Sequence, residues 1–174
     1  MPNINDFISN FVGGARPSKF RAIINYPSVV TRPAVQDYIV CHNAILPSST
    51  VSPTQVFFQG RAIPIPGDRQ NEPMSLTFVN DTTFAHKFAF EEWLNAINAH
   101  QANIQASANY QDLVGTVQVQ QLDRDDTVLA TYNFINCFPD TMSQIDLDYS
   151  QQDVVEQFTV TFAYAYWSNS STTS

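Results

Sequence analysis

The feature that most restricts the fold of this chain is a repeated alternation of apolar and polar residues with a period of two. The clearest case is QIDLDYSQQDVVEQFTVTFAYAYW, residues 144–167, where two alternating runs flank a polar turn. Side chains of a strand point alternately to the two faces of a sheet, so each run predicts a strand with one apolar face. Runs within 18–27, 37–47, 72–81 and 113–138 extend the pattern to about seven or eight strands.

One segment has the period of a helix instead. Phe90, Trp93, Leu94 and Ile97 recur at spacings of three and four, which predicts the main helix, with Asp81 or Thr82 as its N-cap. Combined with the strands, this predicts an α+β domain that is mainly antiparallel, with a β-sandwich or barrel core.

Two segments are predicted to lie outside the core sheet. Apolar residues at helical spacing, followed by two glycines, predict a short amphipathic helix near the N terminus: Ile4, Phe7, Ile8, Phe11 and Val12. Residues 48–54 form a predicted polar loop. Residues 55–70 form either a hairpin or a long extended arm, because Pro64 and Pro66 are excluded from central strands. We therefore divide the chain into an N-terminal arm (1–14), a main domain (15–167) and a flexible tail (168–174).

Charge is distributed unevenly along the chain, whose formal net charge is −8. Residues 1–87 carry seven of the eight basic residues and five acids, a net +2, whereas residues 88–174 carry Arg124 and eleven acids, a net −10. Two interpretations are open: a solvated acidic surface, or complementary head-to-tail contact between copies. Tight binding of nucleic acid is not expected, because it needs clustered Lys and Arg.

Sequence patterns that carry catalysis are missing. The five glycines form no phosphate-binding loop, the three histidines have no metal-binding spacing, and the two cysteines lie in apolar runs typical of buried free thiols. Asp146 and Asp148 share a predicted strand face about 7 Å apart, but a paired-carboxylate site is less expected than a solvated surface. We expect no enzymatic activity, no metal, no cofactor and no membrane span.

Several segments in register resemble one known family. These are ARPSKF, CHNAILP, GRAIPIPGDR followed by MSLTFVND, FEEWLNAI, and FPDTMSQIDLDYSQQDVVEQFTVTFAYAYW, which together span 15–167 in order. The chain resembles the tail tube proteins of contractile-tailed bacteriophages, which are related to the tubes of contractile injection systems. It departs from the family pattern at 26–37, at 48–54 and after Trp167.

The resemblance implies a structural protein of the virion tail that is assembled in the host cytoplasm. It implies homohexameric rings that stack into a hollow tube inside a contractile sheath and conduct double-stranded genomic DNA. The implied partners are further copies, the sheath protein, and baseplate and tail terminator proteins. The departures leave open a tube initiator, a terminator or a baseplate–tube adaptor. A ligand-binding β-barrel module is the alternative from a different class.

The predicted closing hairpin suggests which residues line the tube. In this hypothesis Ile145, Leu147 and Tyr149 pack inside the subunit with the apolar residues of 158–166. The opposite face, either the lumen lining or the outer surface, would then carry Asp146, Asp148, Thr159 and Thr161. Acidic residues in a lumen would repel DNA phosphates, whereas basic residues would retain them.

The two segments outside the core sheet are the predicted contacts between rings or subunits. Their candidate residues are Ile4, Phe7, Ile8, Phe11, Arg61, Ile63, Ile65 and Arg69. For the N-terminal helix, folding back onto its own domain is the alternative.

Overall fold

The computed structural model describes residues 3, 4, 8 and 14–172. Within 14–172 the chain forms nine strands and two α-helices. The strands are β1 (Phe20–Asn25), β2 (Cys41–Ala44), β3 (Thr50–Phe58), β4 (Arg61–Gln70), β5 (Met74–Val79), β6 (Gly115–Leu122), β7 (Val128–Met142), β8 (Gln157–Ala163) and β9 (Tyr166–Asn169). The helices are α1 (Asp37–Val40) and α2 (Ala85–Ile97), and a 3-10 turn covers Tyr110–Asp112.

Seven strands form one antiparallel sheet in the order β1-β6-β7-β8-β5-β2, with β9 also paired to β7. The long strand β7 joins two parts of this sheet. Its first half pairs with β6 and β9, its last residues pair with β8, and Asn136 between them has a positive φ of 53°. The predicted α+β class is confirmed. The arrangement is sandwich-like, because no pairing between the end strands β1 and β2 closes a barrel in the described residues.

The core follows directly from the alternation in the sequence. In β5 and β8 the register pairs Met74 with Phe162, Leu76 with Val160, and Phe78 with Phe158, and all six side chains are buried. Apolar residues of β1, β6 and β7 join the same cluster from the other part of the sheet. Both parts of the sheet therefore bury their apolar faces in a single core.

Helix α2 completes this core. The ring of Phe90 lies 5.3 Å from that of Phe78 and 5.9 Å from that of Phe162, measured between centroids. Trp93 is fully buried, and its indole N–H donates a hydrogen bond of 2.8 Å to the Leu113 carbonyl. A Cβ on Gly115 would lie 2.8 Å from the Trp93 ring and 2.4 Å from the Asn25 carbonyl oxygen, so this position requires glycine.

The predicted N-cap of this helix is wrong. The helix begins at Ala85 after Phe84, which has a φ of 55° and provides no side-chain cap. The Asp81 carboxylate accepts a hydrogen bond from the Thr83 hydroxyl at 2.8 Å. This bond, and to a lesser extent the N–H groups of Ala85 and Phe84, lowers the pKa of Asp81. A local turn therefore precedes the helix.

Two predicted segments differ in their secondary structure. The predicted strand across 37–47 begins as helix α1 and is extended only at Cys41–Ala44. The predicted polar loop across 48–54 is wrong, because β3 begins at Thr50 and pairs with β4. Pairing with residues of β4 that lie more than ten positions further along the chain therefore determines the conformation of this segment.

The predicted strand in the closing hairpin is also wrong over 144–149, which lies in an irregular loop across 143–156. Leu147 and Tyr149 do not pack inside the subunit, since their relative exposures are 82% and 106%. Only Ile145 contacts the core. Asp148 accepts hydrogen bonds from both the N–H and the hydroxyl of Ser150, and such local turns compete with a strand ladder.

The ends of the chain contain the remaining differences. Phe7, Phe11 and Val12 of the predicted N-terminal helix lie outside the described residues, whereas Ile4 and Ile8 are helical, as predicted, and exposed. At the other end, β9 includes Ser168 and Asn169, two residues assigned above to the tail. No helix in the described part of the chain is long and apolar enough to cross a membrane.

Replacing Phe90 with alanine tests the core. The side chain is fully buried, so Phe90→Ala is expected to lower the free energy of unfolding by about 3–5 kcal/mol. Phe88 on the same helix is 58% exposed, and Phe88→Ala should change stability by about 0.5 kcal/mol or less. Urea denaturation of the unassembled subunit, followed by circular dichroism, measures both. Equal losses for the two variants would contradict this packing.

Candidate assembly surfaces

Strands β3 and β4 form a hairpin that pairs with no other strand in the described residues. Its two-residue turn, Gln59-Gly60, has positive φ values of 46° and 79°, as a type I′ turn requires. Of the two arrangements predicted for 55–70, the hairpin is therefore the one formed. The register places a set of apolar side chains and one arginine on the same face, which we call the hairpin face: Val56, Phe58, Arg61, Ile63 and Ile65.

The hairpin face is uncovered within the subunit. All five of its residues are exposed, and Phe58 near the tip is 62% exposed. Pro53 and Pro66 are paired across the hairpin and Pro64 faces Gln55, so the strands have few N–H groups to offer to a further strand. The hairpin thus exposes apolar side chains while its edges resist uncontrolled pairing.

The predicted contact residues of this segment are brought together in part. Arg61, Ile63 and Ile65 alternate along β4 and therefore share the hairpin face. Arg69 lies at the base of the hairpin, where it pairs with Val51 next to an irregularity in the register.

The second uncovered surface is the loop across 143–156. It lines a surface cavity of about 390 Å³ that is open to solvent and whose lining includes Asp146, Leu147, Asp148, Tyr149, Val154 and Glu156. The loop carries four acidic residues and no basic residue. Hydrogen bonds from Ser150, first from its backbone N–H and then from its hydroxyl, lower the pKa of the Asp148 carboxyl. The loop therefore combines exposed apolar side chains with negative charge.

The third surface is the outer face of β5, β8 and the end of β7. It carries small hydroxyl side chains, and we call it the hydroxyl face: Ser75, Thr77, Thr141, Thr159 and Thr161. The hydroxyls of Thr77 and Thr159 are 3.0 Å apart and hydrogen-bonded. Neither β5 nor β8 contains a charged residue. Thr159 and Thr161 thus lie opposite the core as predicted, but Asp146 and Asp148 lie beyond the end of the strand and not on this face.

The hairpin and the loop leave the sheet at opposite ends of the same strands. The hairpin joins the start of β5, where Met74 pairs with Phe162, whereas the loop joins the start of β8, where Gln157 pairs with Val79. The Tyr164 hydroxyl fixes the first end by donating to the Glu72 carbonyl at 2.7 Å. Asn80 fixes the second end through hydrogen bonds of 2.9 and 3.0 Å with Glu156. Each subunit therefore has two different ends.

A buried polar cluster was not predicted. The Asp37 carboxylate is almost fully buried and accepts hydrogen bonds from the Tyr26 hydroxyl at 2.9 Å and the Ile24 N–H at 3.2 Å. The His86 ring is also buried, with Nε2 3.4 Å from Asp37 Oδ1. Burial, and then the charge of Asp37, raise the pKa of Tyr26. The cluster attaches α1 to the edge strand β1. In the sequence, the one indication of it was an acidic residue, Asp37, at the start of an apolar run.

The remaining titratable groups offer little chemistry. No group of three or more His, Cys, Asp or Glu in the described part of the chain could hold a metal ion. Both cysteines are free as predicted. Cys137 is buried and Cys41 is half-buried. Burial raises the pKa of each thiol to about 12, which keeps both protonated and weakly nucleophilic near neutral pH.

Removal of the Asp37 carboxylate tests the buried cluster. Asp37→Ala is expected to lower the free energy of unfolding by about 3 kcal/mol, because it leaves two donors without an acceptor in the interior. Asp140 is exposed, so Asp140→Ala should have an effect of about 0.5 kcal/mol or less. Thermal and urea denaturation of both variants provide the comparison. If Asp37→Ala is as stable as the wild-type protein, the buried cluster does not stabilise the fold.

Comparison with known proteins gives a consistent picture. The model of a family described as phage tail tube protein matches residues 15–170. The tail tube protein of Serratia phage KSP90 is 31% identical over 170 residues, covering 94% of this chain and 95% of that protein. Tail tube protein gp19 of Enterobacteria phage T4 is 27% identical, covering 94% and 98%.

Solved structures give the same fold. A chain in the sheath–tube complex of an extracellular contractile injection system, PVC, in its extended state superimposes with a TM-score of 0.65. The match covers 97% of this chain and 98% of that one at 13% identity. At this identity the similarity concerns the fold.

Proposed function

This chain belongs to the phage tail tube protein family, and we propose that it forms hexameric rings that stack into the inner tube of a contractile tail. It is a structural protein of the virion tail. Its proposed role is a conduit for double-stranded DNA during ejection, without catalysis. Its proposed partners are further copies of itself, the surrounding sheath, and the baseplate and terminator proteins at the two ends of the tube.

The observation that carries this proposal is the uncovered hairpin of β3 and β4. An isolated two-stranded hairpin is at best marginally stable in water, and this one exposes four apolar side chains on one face. At about 3.3 Å per residue, strands of nine and ten residues extend roughly 30 Å. A projection of this length and composition is explained by contact with a neighbouring subunit.

Open strand edges support the formation of rings. The end strands β1 and β2 each have one side without a strand partner in the described residues, and so does β9. Such edges template pairing with another chain, and a closed arrangement of subunits removes them. The Asp37 carboxylate already satisfies the Ile24 N–H, so only part of the β1 edge is available to a neighbour.

The hydroxyl face is the proposed lining of the lumen. Its threonine and serine side chains are small and uncharged, so they neither block the bore nor bind phosphates by releasing counterions. Asp146 and Asp148 lie in the loop beyond one end of this face, which would place them at the junction between rings and not in the lining itself. The alternative, that this face is the outer surface, is an outcome of the DNA experiment below.

The N-terminal arm is a second proposed contact between rings. Ile4 and Ile8 are exposed, and their apolar side chains would be covered by a neighbouring ring. The division into an arm (1–14), a tube domain (15–167) and a C-terminal tail (168–174) remains part of the proposal.

Electron microscopy of the purified protein tests the proposal as a whole. A tube subunit should give long tubes, whereas an initiator, terminator or baseplate adaptor should give single rings. We favour the tube subunit because the relatives from Serratia phage KSP90 and Enterobacteria phage T4 are each named tail tube proteins. A monodisperse monomer at high concentration under all assembly conditions would contradict the proposal and favour a ligand-binding module.

Polar substitution of the hairpin face should prevent stacking without unfolding the subunit. In Ile63→Ser/Ile65→Ser, both residues are exposed within the subunit, so the melting temperature of the unassembled subunit should be nearly unchanged. Tube length in electron micrographs should fall sharply, because each contact loses apolar burial of about 25 cal/mol per Å². The matched control is Gln55→Ser/Ala62→Ser on the other face. Tubes of normal length from the first variant would refute the role of this face.

A lysine on the hydroxyl face should convert the proposed lumen into a DNA-binding surface. Tubes assembled from Thr161→Lys in the presence of short duplex DNA are expected to retain DNA and to protect it from DNase. The control is Gln118→Lys, on the outer face of β6, which should bind DNA that stays sensitive to DNase. Digestion of the DNA bound by Thr161→Lys tubes would place the hydroxyl face outside the bore.

A further inference from the structure

We infer that the hairpin tip of each subunit docks into the cavity of loop 143–156 on a subunit of the next ring. In this contact Phe58 packs against Leu147 and Val154, and the Arg61 guanidinium pairs with Asp146 and neighbouring carboxylates. The inference rests on the proposed function, because it names the surface that receives the hairpin. The occupant is a second copy of this chain.

Position within the fold is the first argument. The hairpin and the loop leave the β5–β8 pair at opposite ends, so the base of the hairpin and the loop of the same subunit are separated by the length of these two strands. Identical subunits stacked head to tail bring opposite ends together, and this heterologous contact can repeat along the tube without limit. The two surfaces can therefore meet between subunits.

Matching of apolar surface is the second argument. Phe58 and Arg61 are paired across the tip of the hairpin, and Phe58 is 62% exposed. The cavity of about 390 Å³ lies within the range of about 300–1,000 Å³ typical of binding clefts. Leu147 and Val154 in its lining are 82% and 68% exposed in the free subunit. Docking would remove apolar surface from water on both sides of the contact.

Complementary charge is the third argument. Arg61 forms no ion pair with any residue that the structure describes, and it is the only charged residue at the tip. The cavity lining carries Asp146, Asp148 and Glu156 and no basic side chain. Asp148 is engaged by Ser150, and Glu156 by Asn80, whereas Asp146 has only a long contact of 3.4 Å from Gln144. Asp146 is therefore the carboxylate most available to Arg61.

Reversal of charge on both sides tests this pairing. Arg61→Glu and Asp146→Arg should each stop tube growth at rings or short stacks, and the double variant should restore long tubes. A two-fold weakening of each contact multiplies to about 60-fold across six contacts in a ring, so small effects become measurable. The matched controls are Arg124→Glu and Asp140→Arg, which reverse exposed charges elsewhere on the chain.

The outcomes separate this inference from the proposed function. Wild-type tubes with rescue by the double variant support both. A second outcome is that the wild-type protein forms tubes but the double variant does not restore tube growth, although all variants keep the wild-type melting temperature. That outcome would overturn the docking contact and leave the tube proposal standing. Failure of the wild-type protein to form tubes would instead count against the proposed function.

Cross-linking gives a second measurement that does not depend on charge. The Phe58→Cys/Leu147→Cys variant is assembled into tubes and then oxidised. Non-reducing electrophoresis should then show a ladder of disulfide-linked chains. Each single variant should give none, because the native Cys137 is buried and the native Cys41 is half-buried. The control pair is Phe58→Cys/Val128→Cys, with Val128 exposed on β7. An equal ladder from the control pair, or no ladder from the test pair, would contradict the assigned contact.

Discussion

The packing of the large apolar side chains of β5 and β8 against α2 is the interaction on which the other surfaces depend. Phe78, Phe158 and Phe162 can meet Phe90 only if both strands turn the same face inward. Because side chains alternate along a strand, this same choice turns the serines and threonines outward. The apolar core and the smooth polar face are therefore two consequences of one register.

The same register also makes the two ends of the subunit different from each other. Antiparallel pairing of β5 with β8 places the connection to the hairpin at one end and the loop across 143–156 at the other. One end carries an aromatic side chain and a cation, and the other carries a cavity lined by aliphatic and acidic residues. A subunit with two different, complementary ends is suited to head-to-tail stacking, and its apolar surface is left for neighbours to cover.

Local chemistry explains where the sequence pattern was misleading. The alternation of Ile145, Leu147 and Tyr149 is typical of a strand, yet Asp148 forms a turn with Ser150 and none of the described strands pairs with this segment. In the reverse case, the prolines and serines of 48–54 indicated a loop, but pairing with β4 makes most of this segment a strand. Local propensity decides such segments only where no partner strand is available.

Apart from the family, which was identified through the resemblance of whole segments, the sequence by itself determined the α+β class, the inward faces of β5, β6 and β8, the main helix and the free thiols. These features depend on periodicity and on residue type, which are local properties of the chain. Only the tertiary structure decided that the Asp146 and Asp148 carboxylates lie outside the hydroxyl face and that Asp37 is buried beside Tyr26. It also decided that the hairpin and the acidic loop lie at opposite ends. These features depend on which strands pair and in what register, and that choice is made by contacts between residues far apart in the sequence.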